Sequence, residues 1–252
     1  MADVQPPFRV FDMATMLEPT TIVAMIGNRA CGLSWLVRDV LFHRRDVPIG
    51  VAVGPCDEHS ASPLRGILPP QLVHDECTPS LIANVVKRQK IAARKAEQAA
   101  EGQGETSVVD PRAILVLDGC FYDEAWTHDK HMRALFADNR KYNLDVVVAM
   151  EFPLGLPPSM QANVDYVFLL RSNLAGNRTR LYVNFVGAEA FPTYEGFSEA
   201  MDRLEDAGDR WCLVIDKRNG TSGGDRVFWY RAGVHAADSV RIGAPAFWGE
   251  AP

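Results

Sequence analysis

A short apolar run that ends at a glycine restricts the fold of this chain more than any other feature. Residues 22–26 are apolar, Gly27 follows them, and Gly32 comes five positions later. Ser34 then opens a segment with helical periodicity. This strand, loop and helix have the G-x-x-x-x-G-K-[ST] spacing of a phosphate-binding P-loop, except that Leu33 occupies the lysine position.

Such a loop has two separable parts. Its backbone N–H groups and the helix start hold an anion whatever the side chains are. The lysine then reaches the β- and γ-phosphates, and the hydroxyl residue holds Mg²⁺. Leu33 removes a charged hydrogen bond worth about 1.5–3 kcal/mol in binding, and more in the transition state, where charge develops. We therefore expect ATP and Mg²⁺ to bind weakly or not at all, through Gly27, Asn28, Arg29, Ala30, Cys31, Gly32, Leu33, Ser34 and Trp35.

An ordinary strand–glycine–helix turn is the alternative that the motif alone leaves open, so the rest of the chain has to decide. The 252 residues are 47% hydrophobic, enough for the core of one large α/β domain. The net charge of -6 argues against a protein that coats nucleic acid. It is compatible with a ring-shaped motor that places a few basic residues in a pore.

The sequence shows no sign of export or of membrane insertion. No apolar run reaches the ~18 residues of a membrane span, and the first residues lack a signal-peptide pattern. The five cysteines are spread out and mostly lie in apolar runs, which predicts reduced core thiols. We therefore expect a protein that is not secreted.

The order of the predicted elements decides the fold class. Asp118 ends the third strand, at the ligand-binding edge of a parallel sheet. A strand lies between the P-loop strand and the Asp118 strand along the chain, and a fourth strand ends at Glu151, an order typical of RecA-like motor ATPases. We predict a doubly wound, mostly parallel α/β sheet with a C-terminal antiparallel hairpin. Strands are expected at 21–26, 47–53, 113–118, 145–150, 164–170, 211–215 and 226–230. Helices are expected at 34–43, 79–100, 129–139, 173–186 and 194–204, the second of them with Thr78 as its N-cap. The expected divisions are an N-terminal arm (1–20), an ATPase-like domain (21–231) and a tail (232–252).

Several further segments carry a more specific pattern than the loop. They are residues 74–79, 86–90, 115–123, 152–158, 163–171, 191–193, 212–216 and 227–230. Together with the loop, they resemble the genome-packaging ATPases of nucleocytoplasmic large DNA viruses, a branch of the FtsK/HerA superfamily of P-loop motors. The resemblance covers roughly residues 20–231.

This resemblance implies ATP hydrolysis coupled to translocation of viral double-stranded DNA. It also implies a homo-oligomeric ring, or association with other virion or packaging components, in the host cytoplasm, the viral factory or the virion. Asp118 and Ser34 then hold Mg²⁺, and Glu151 occupies the sensor position. Arg171 matches a family arginine that can act on a neighbour's nucleotide, as arginine fingers do. A structural salt bridge is the alternative for Arg171.

The departures from the family pattern all concern hydrolysis. Family members carry lysine at the position of Leu33, a second acid at Gly119 and usually glutamine at Glu151. The resemblance therefore predicts a packaging motor with impaired catalysis, in which Glu151 or Asp123 replaces the missing acid. The alternative is a non-catalytic structural or regulatory relative. A small-molecule kinase is a weaker interpretation, because the strand order and residues 152–158 argue against it.

Three other patterns have two interpretations each. The basic residues within 87–95 either contact DNA phosphates or form a solvated helix face. Residues 56–59 and 74–77 contain cysteine, histidine and acids, and a zinc site is one interpretation of them. Structural zinc needs two close ligand pairs in a preset geometry, so we favour the other interpretation, that they bind no metal. Trp35, Trp229 and Tyr230 are expected in the core rather than as stacking platforms.

Overall fold

The strand that precedes Gly27 lies in the middle of a large sheet. The computed structural model describes residues 8–28, 30–54, 63–101, 110–120, 126, 128–153, 156–172, 174–218, 223–236 and 239–249. Within these ranges the strands are β1 (Arg9–Val10), β2 (Ile22–Ile26), β3 (Gly50–Val53), β4 (Val73–His74), β5 (Ala113–Asp118), β6 (Leu144–Met150), β7 (Tyr166–Leu170), β8 (Trp211–Asp216) and β9 (Val227–Arg231). The helices are α1 (Met13–Met16), α2 (Leu33–His43), α3 (Pro79–Ala100), α4 (Lys130–Asp138), α5 (Pro158–Gln161), α6 (Ala175–Leu181), which a π-helical turn (Tyr182–Val186) continues, and α7 (Tyr194–Ala207).

The strands form one mixed sheet in the order β1-β9-β8-β7-β2-β6-β5-β3-β4. Strand β8 runs antiparallel to β7 and to β9, and the other pairs are parallel. The predicted fold class, including the antiparallel hairpin, is confirmed. Strand β6 lies between β2 and β5, so the Asp118 strand is separated from the P-loop strand by one strand.

Strand β2 is apolar throughout because both faces of the sheet are covered. Ile22, Ala24 and Ile26 join one core, which includes side chains of α3, α4 and α7. Val23 and Met25 join a second core, on the side of α2. The alternation of β2 between two cores fixes its register, since a slip by one residue would exchange the faces.

Two buried carboxylates fix the start of β2. Asp145 accepts a hydrogen bond from the Thr21 N–H at 2.9 Å, and Asp165 accepts one from the Ile22 N–H at 2.8 Å. Arg44 lies 3.3 Å from Asp145 and compensates its charge. The entry of the chain into the central strand is therefore tied to both neighbouring strands.

The segments on either side of the predicted ATPase-like domain pack on the same core as α2. Phe11, Met13 and Leu17 from the first segment are buried there, as are Val240 and Ile242 from the last. β1 also pairs with β9 at the edge of the sheet. The division into residues 1–20, 21–231 and 232–252 stays a prediction.

A buried aspartate fastens the last segment to α2. Asp39 accepts hydrogen bonds from the hydroxyl of Tyr230 and from the Gly233 N–H, the latter at 2.8 Å. His235 Nε2 lies 2.6 Å from the same carboxylate. The helix that follows the P-loop is therefore held by β9 and by the chain after it.

Helix α3 begins at the predicted cap and presents one polar face. The Thr78 hydroxyl accepts a hydrogen bond from the Leu81 N–H at 3.2 Å, and Pro79 occupies the first turn. Within the basic run, Gln89 is buried, whereas Lys87 and Lys90 are exposed. No helix among the described residues is both long enough and apolar enough to cross a bilayer.

Candidate nucleotide-binding site

The loop between β2 and α2 folds back against β7 and needs a glycine at its start. The Gly27 N–H donates a hydrogen bond to the Met150 carbonyl at 3.1 Å. A Cβ atom at position 27 would lie 2.5 Å from Cys31 Sγ and 2.8 Å from Leu170 Cβ. No side chain fits there, so this glycine of the motif is required by packing.

The end of the loop places unpaired N–H groups at the start of α2. Ala30 has a φ of 60° and Gly32 a φ of 102°, so the chain turns sharply into the helix. Gly32 is the N-cap residue and supplies no side-chain acceptor. Among the described residues, the first amides of α2 thus have neither a helical partner nor a side-chain cap, which is the arrangement that binds phosphate in P-loops. Asn28 precedes this turn, and Arg29 lies outside the described residues.

Cys31 fills the space beneath the loop. Its thiol is buried. Burial raises the pKa of the Cys31 thiol, so the thiol stays protonated at neutral pH. Cys31 therefore shapes the loop from below rather than reacting with a ligand.

Leu33 and Trp35 point in directions that the sequence did not reveal. Leu33 packs against the core on the α2 side of the sheet. Trp35 is 41% exposed, so the expectation that it belongs to the core is wrong, because it lies in the first helical turn beside an open cavity. Trp229 and Tyr230 are buried, as expected.

A cavity of about 80 Å³ brings Ser34 and Asp118 together. It lies beside the start of α2, at the carboxyl ends of the strands. Hydroxyl and carboxylate oxygens are the donors that Mg²⁺ prefers. These two side chains therefore fit a magnesium ion bound to a nucleotide. The described residues that line the cavity are Ser34, Trp35, Val37, Arg38, Leu64, Ile67 and Asp118.

Asp118 and Glu151 form a pair of acids at this edge. Asp118 is level with Ala149 of β6, so Glu151 follows two residues beyond the paired position. Burial raises the pKa of the Asp118 carboxyl, and the charge of Glu151 raises it further. The proximity of Glu151 therefore disfavours the ionised form of Asp118.

Gly119 has a backbone conformation that suits glycine. Its φ is 62°, and its N–H donates to the Ala149 carbonyl at 3.0 Å. This is the position at which the resembled family carries a second acid. An acidic side chain here would occupy the left-handed region, which costs about 1–2 kcal/mol for a residue with a Cβ atom.

Arg171 contacts the P-loop of its own chain. Its Nη2 donates a hydrogen bond to the Ala30 carbonyl at 3.0 Å and lies 3.0 Å from Asp209. These contacts connect the end of β7 to the loop. A role on a neighbour's nucleotide stays a prediction.

Some predicted positions are not placed by the structure. Asp123 and residues 56–59 lie outside the described residues. Among the residues that are described, no group of three or more histidine, cysteine or acidic side chains could hold a metal ion.

Relatives of this chain are found in several viruses. The chain is 34% identical over 224 residues to uncharacterized protein L437 of Acanthamoeba polyphaga mimivirus, covering 88% of this chain and 76% of that protein. It is 30% identical over 209 residues to uncharacterized protein 075L of Invertebrate iridescent virus 6, covering 82% and 73%. The chain belongs to this family of viral proteins. No protein-family model matches the sequence.

Solved structures with the same fold include a viral packaging enzyme. The genome packaging NTPase B204 from Sulfolobus turreted icosahedral virus 2, in complex with AMPPCP, matches with a TM-score of 0.57 at 12% identity, over 86% of this chain and 100% of that one. The conjugation coupling protein TcpA of pCW3 matches with a TM-score of 0.51 at 13% identity, over 90% of this chain and 63% of that one. At these identities the likeness shows the fold, that of a P-loop NTPase.

Sequence reasoning missed one charged residue of the cavity in this viral protein. Arg38 lies four residues after Ser34 on α2 and lines the same cavity. The sequence contains an indication of this residue, since residues four apart, such as Ser34 and Arg38, share a helix face. The P-loop motif extends only to Trp35, and Arg38 lies about one helical turn beyond it.

We predict that Asp118→Asn stabilises the folded protein at neutral pH. Because burial and Glu151 raise the pKa of Asp118 in the folded state, ionisation costs stability as the pH rises above the unfolded value. The amide removes this cost, so the melting temperature at pH 7 should rise by a few degrees. The gain should vanish below about pH 3.8, where the carboxyl is protonated in both states.

Asp138→Asn is the matched control. The hydrogen bond from Lys141 lowers the pKa of Asp138, so its replacement should leave the melting temperature unchanged or reduce it. Differential scanning calorimetry from pH 3 to pH 8 measures both variants. A lower melting temperature for Asp118→Asn than for the wild type at pH 7 would contradict a raised pKa of Asp118 in the folded protein.

Proposed function

We propose that this chain is a nucleotide-binding protein of the viral genome-packaging ATPase type with impaired hydrolysis. The observation that carries the proposal is the cavity that joins Ser34 to Asp118 beside the uncapped start of α2. A phosphate held there meets helix amides on one side and the magnesium-binding oxygens on the other. The fold shared with a packaging NTPase supports the same class.

Each described residue then has a defined task. The amides at the start of α2 bind the phosphate oxygens, and Gly27 lets the loop close beneath them. Ser34 and Asp118 would hold Mg²⁺, which supplies positive charge to the β- and γ-phosphates. Arg171 holds the loop through the Ala30 carbonyl.

Impaired hydrolysis follows from three positions in one small volume. Leu33 puts a hydrocarbon side chain against the core where the resembled family has a phosphate-binding lysine. Gly119 lacks the carboxylate that positions the attacking water in that family. Glu151 adds negative charge beside Asp118, which weakens nucleotide binding. The site is therefore suited to holding a nucleotide loosely rather than to rapid turnover.

We predict that Mg·ATP binds with a dissociation constant of about 10 μM or weaker, because the amide cradle is kept and its lysine is absent. Leu33→Lys should tighten binding by about tenfold or more, since a charged hydrogen bond is worth about 1.5–3 kcal/mol. Leu33→Met, which keeps an apolar side chain of similar size, is the matched control and should leave the affinity unchanged. Isothermal titration with and without Mg²⁺ measures these constants, and sub-micromolar, magnesium-dependent binding by the wild type contradicts the proposal.

We predict that Glu151→Gln does not remove an activity. The variant restores the residue usual in the resembled family and removes a charge, so ATP should bind somewhat more tightly while turnover stays as low as in the wild type. A magnesium-dependent phosphate-release assay of both proteins decides. Wild-type turnover that disappears in the variant would show that Glu151 acts as the base and that the site has been rebuilt.

A non-catalytic structural or regulatory subunit is the second candidate. The positive φ of Gly119 favours it, because an acidic side chain at this position would cost about 1–2 kcal/mol in the left-handed region. Binding of ATP without turnover in the wild type and in Leu33→Lys supports this candidate. Turnover in Leu33→Lys alone supports the impaired enzyme.

The proposal extends to double-stranded viral DNA and to a ring of identical subunits. The exposed basic side chains of α3, including Lys87 and Lys90, offer phosphate contacts without making the whole protein basic. The viral origin of the relatives agrees with a place in the infected cell or in the virion. The family is proposed to be that of the packaging ATPases of nucleocytoplasmic large DNA viruses, within the FtsK/HerA superfamily, with degenerate P-loop and Asp118 motifs.

A further inference from the structure

Arg38 shares a cavity with the two residues proposed to hold magnesium. It lies on α2 one helical turn after Ser34, and Asp118 lines the cavity on the sheet side. Side chains on a helix lean toward its N-terminus, and residues four apart stand one above the other. The long side chain of Arg38 is therefore directed back toward the helix start, where a P-loop holds its anion.

The guanidinium of Arg38 has an unsatisfied donor. Its Nε is buried and has no hydrogen-bond partner in the described structure. The two arginines that follow α2 have partners: Arg44 donates to the Leu17 carbonyl at 2.9 Å, and Arg45 donates to the Phe42 carbonyl at 2.8 Å. The Nε of Arg65, beside the cavity-lining Leu64, is also buried without a partner, but its Nη2 is held by Asp75 at 3.0 Å. Buried donors are almost always paired in native proteins, so an unpaired one beside a cavity points to a ligand that accepts from it.

Phosphate binding at this site also needs a positively charged side chain from a position other than 33. Leu33 supplies none, and Arg171 is engaged with the Ala30 carbonyl and with Asp209. An arginine can replace a lysine as a phosphate-binding cation because its planar fork donates to two oxygens at once. Arg38 has the charge, the direction and the free donor that this task requires.

We propose that Arg38 is the phosphate-binding cation of this site and takes over the task of the missing P-loop lysine. The inference rests on the proposed function and names the residue that recognises the phosphates. A cavity of about 80 Å³ far exceeds the roughly 10–15 Å³ that one water needs, and it has room for one phosphate-sized group. The nucleoside then lies outside the cavity, on the side of the exposed Trp35.

The test compares Arg38→Gln with Arg45→Gln, which removes the same charge from an exposed position just after the same helix. Isothermal titrations use Mg·ATP, inorganic pyrophosphate and adenosine as separate probes. We expect Arg38→Gln to weaken binding of ATP and of pyrophosphate by about tenfold or more. Arg45→Gln should bind both as the wild type does. Adenosine binding should be the same in all three proteins, because the nucleoside does not reach the guanidinium.

Restoring the lysine separates phosphate recognition from a structural role. The double variant Leu33→Lys/Arg38→Gln should regain most of the lost affinity, since it moves the cation from α2 back to the loop. Because Leu33→Lys is expected to tighten binding by itself, the decisive comparison is its gain in the two backgrounds. A larger gain beside Arg38→Gln than beside Arg38 shows that the two cations share one task, and equal gains overturn this sharing. If Arg38→Gln does not fold, Arg38→Lys replaces it, and we expect weaker binding because a lysine donates as a point charge.

The outcomes separate this inference from the proposed function. Wild-type ATP binding that Arg38→Gln leaves unchanged overturns the role of Arg38 and leaves the proposed function standing. Arg38-dependent binding of pyrophosphate without ATP binding supports the role of Arg38 and overturns the nucleotide function. Binding of neither probe by the wild type overturns both.

Discussion

The P-loop of this protein can fold back only because position 27 has no side chain. Gly27 faces the thiol of Cys31 and the side chain of Leu170, and the space between them is already filled. This contact draws the loop against β7 and directs the chain into α2. The positions of the helix amides, of Ser34 and of Arg38 all depend on this turn. Binding of an anion at the site therefore depends on it as well.

The central part of the sheet could be predicted from the sequence because its strands are buried on both faces and their residues are apolar. The runs that precede Gly27 and that end at Asp118 gave the correct strands, and the chain order gave the correct fold class. The two-residue strands β1 and β4 were missed. They are the two edge strands of the sheet and are defined by pairing with β9 and β3, and two residues carry no periodicity.

The candidate site was predicted less completely, for a physical reason. A motif records which residues follow one another, whereas exposure depends on what packs nearby. Trp35 was therefore misplaced in the core, although it lies beside a cavity. Arg38 was missed because it belongs to the site through the pitch of a helix and not through the loop. The departures from the family pattern at Leu33 and Gly119 could be identified from the sequence, but their conformations could not. The Leu33 side chain packs against the core, and the backbone of Gly119 has a positive φ.

We propose above all that the turn between β2 and α2 binds the phosphates of a nucleotide, and this claim carries the roles given to the other site residues. A crystal structure of the protein grown with Mg²⁺ and a non-hydrolysable ATP analogue tests this claim most directly. We expect a phosphate against the first amides of α2, with the metal between Ser34 and Asp118. A nucleotide bound elsewhere on the protein, or an empty turn at saturating analogue concentration, would contradict it.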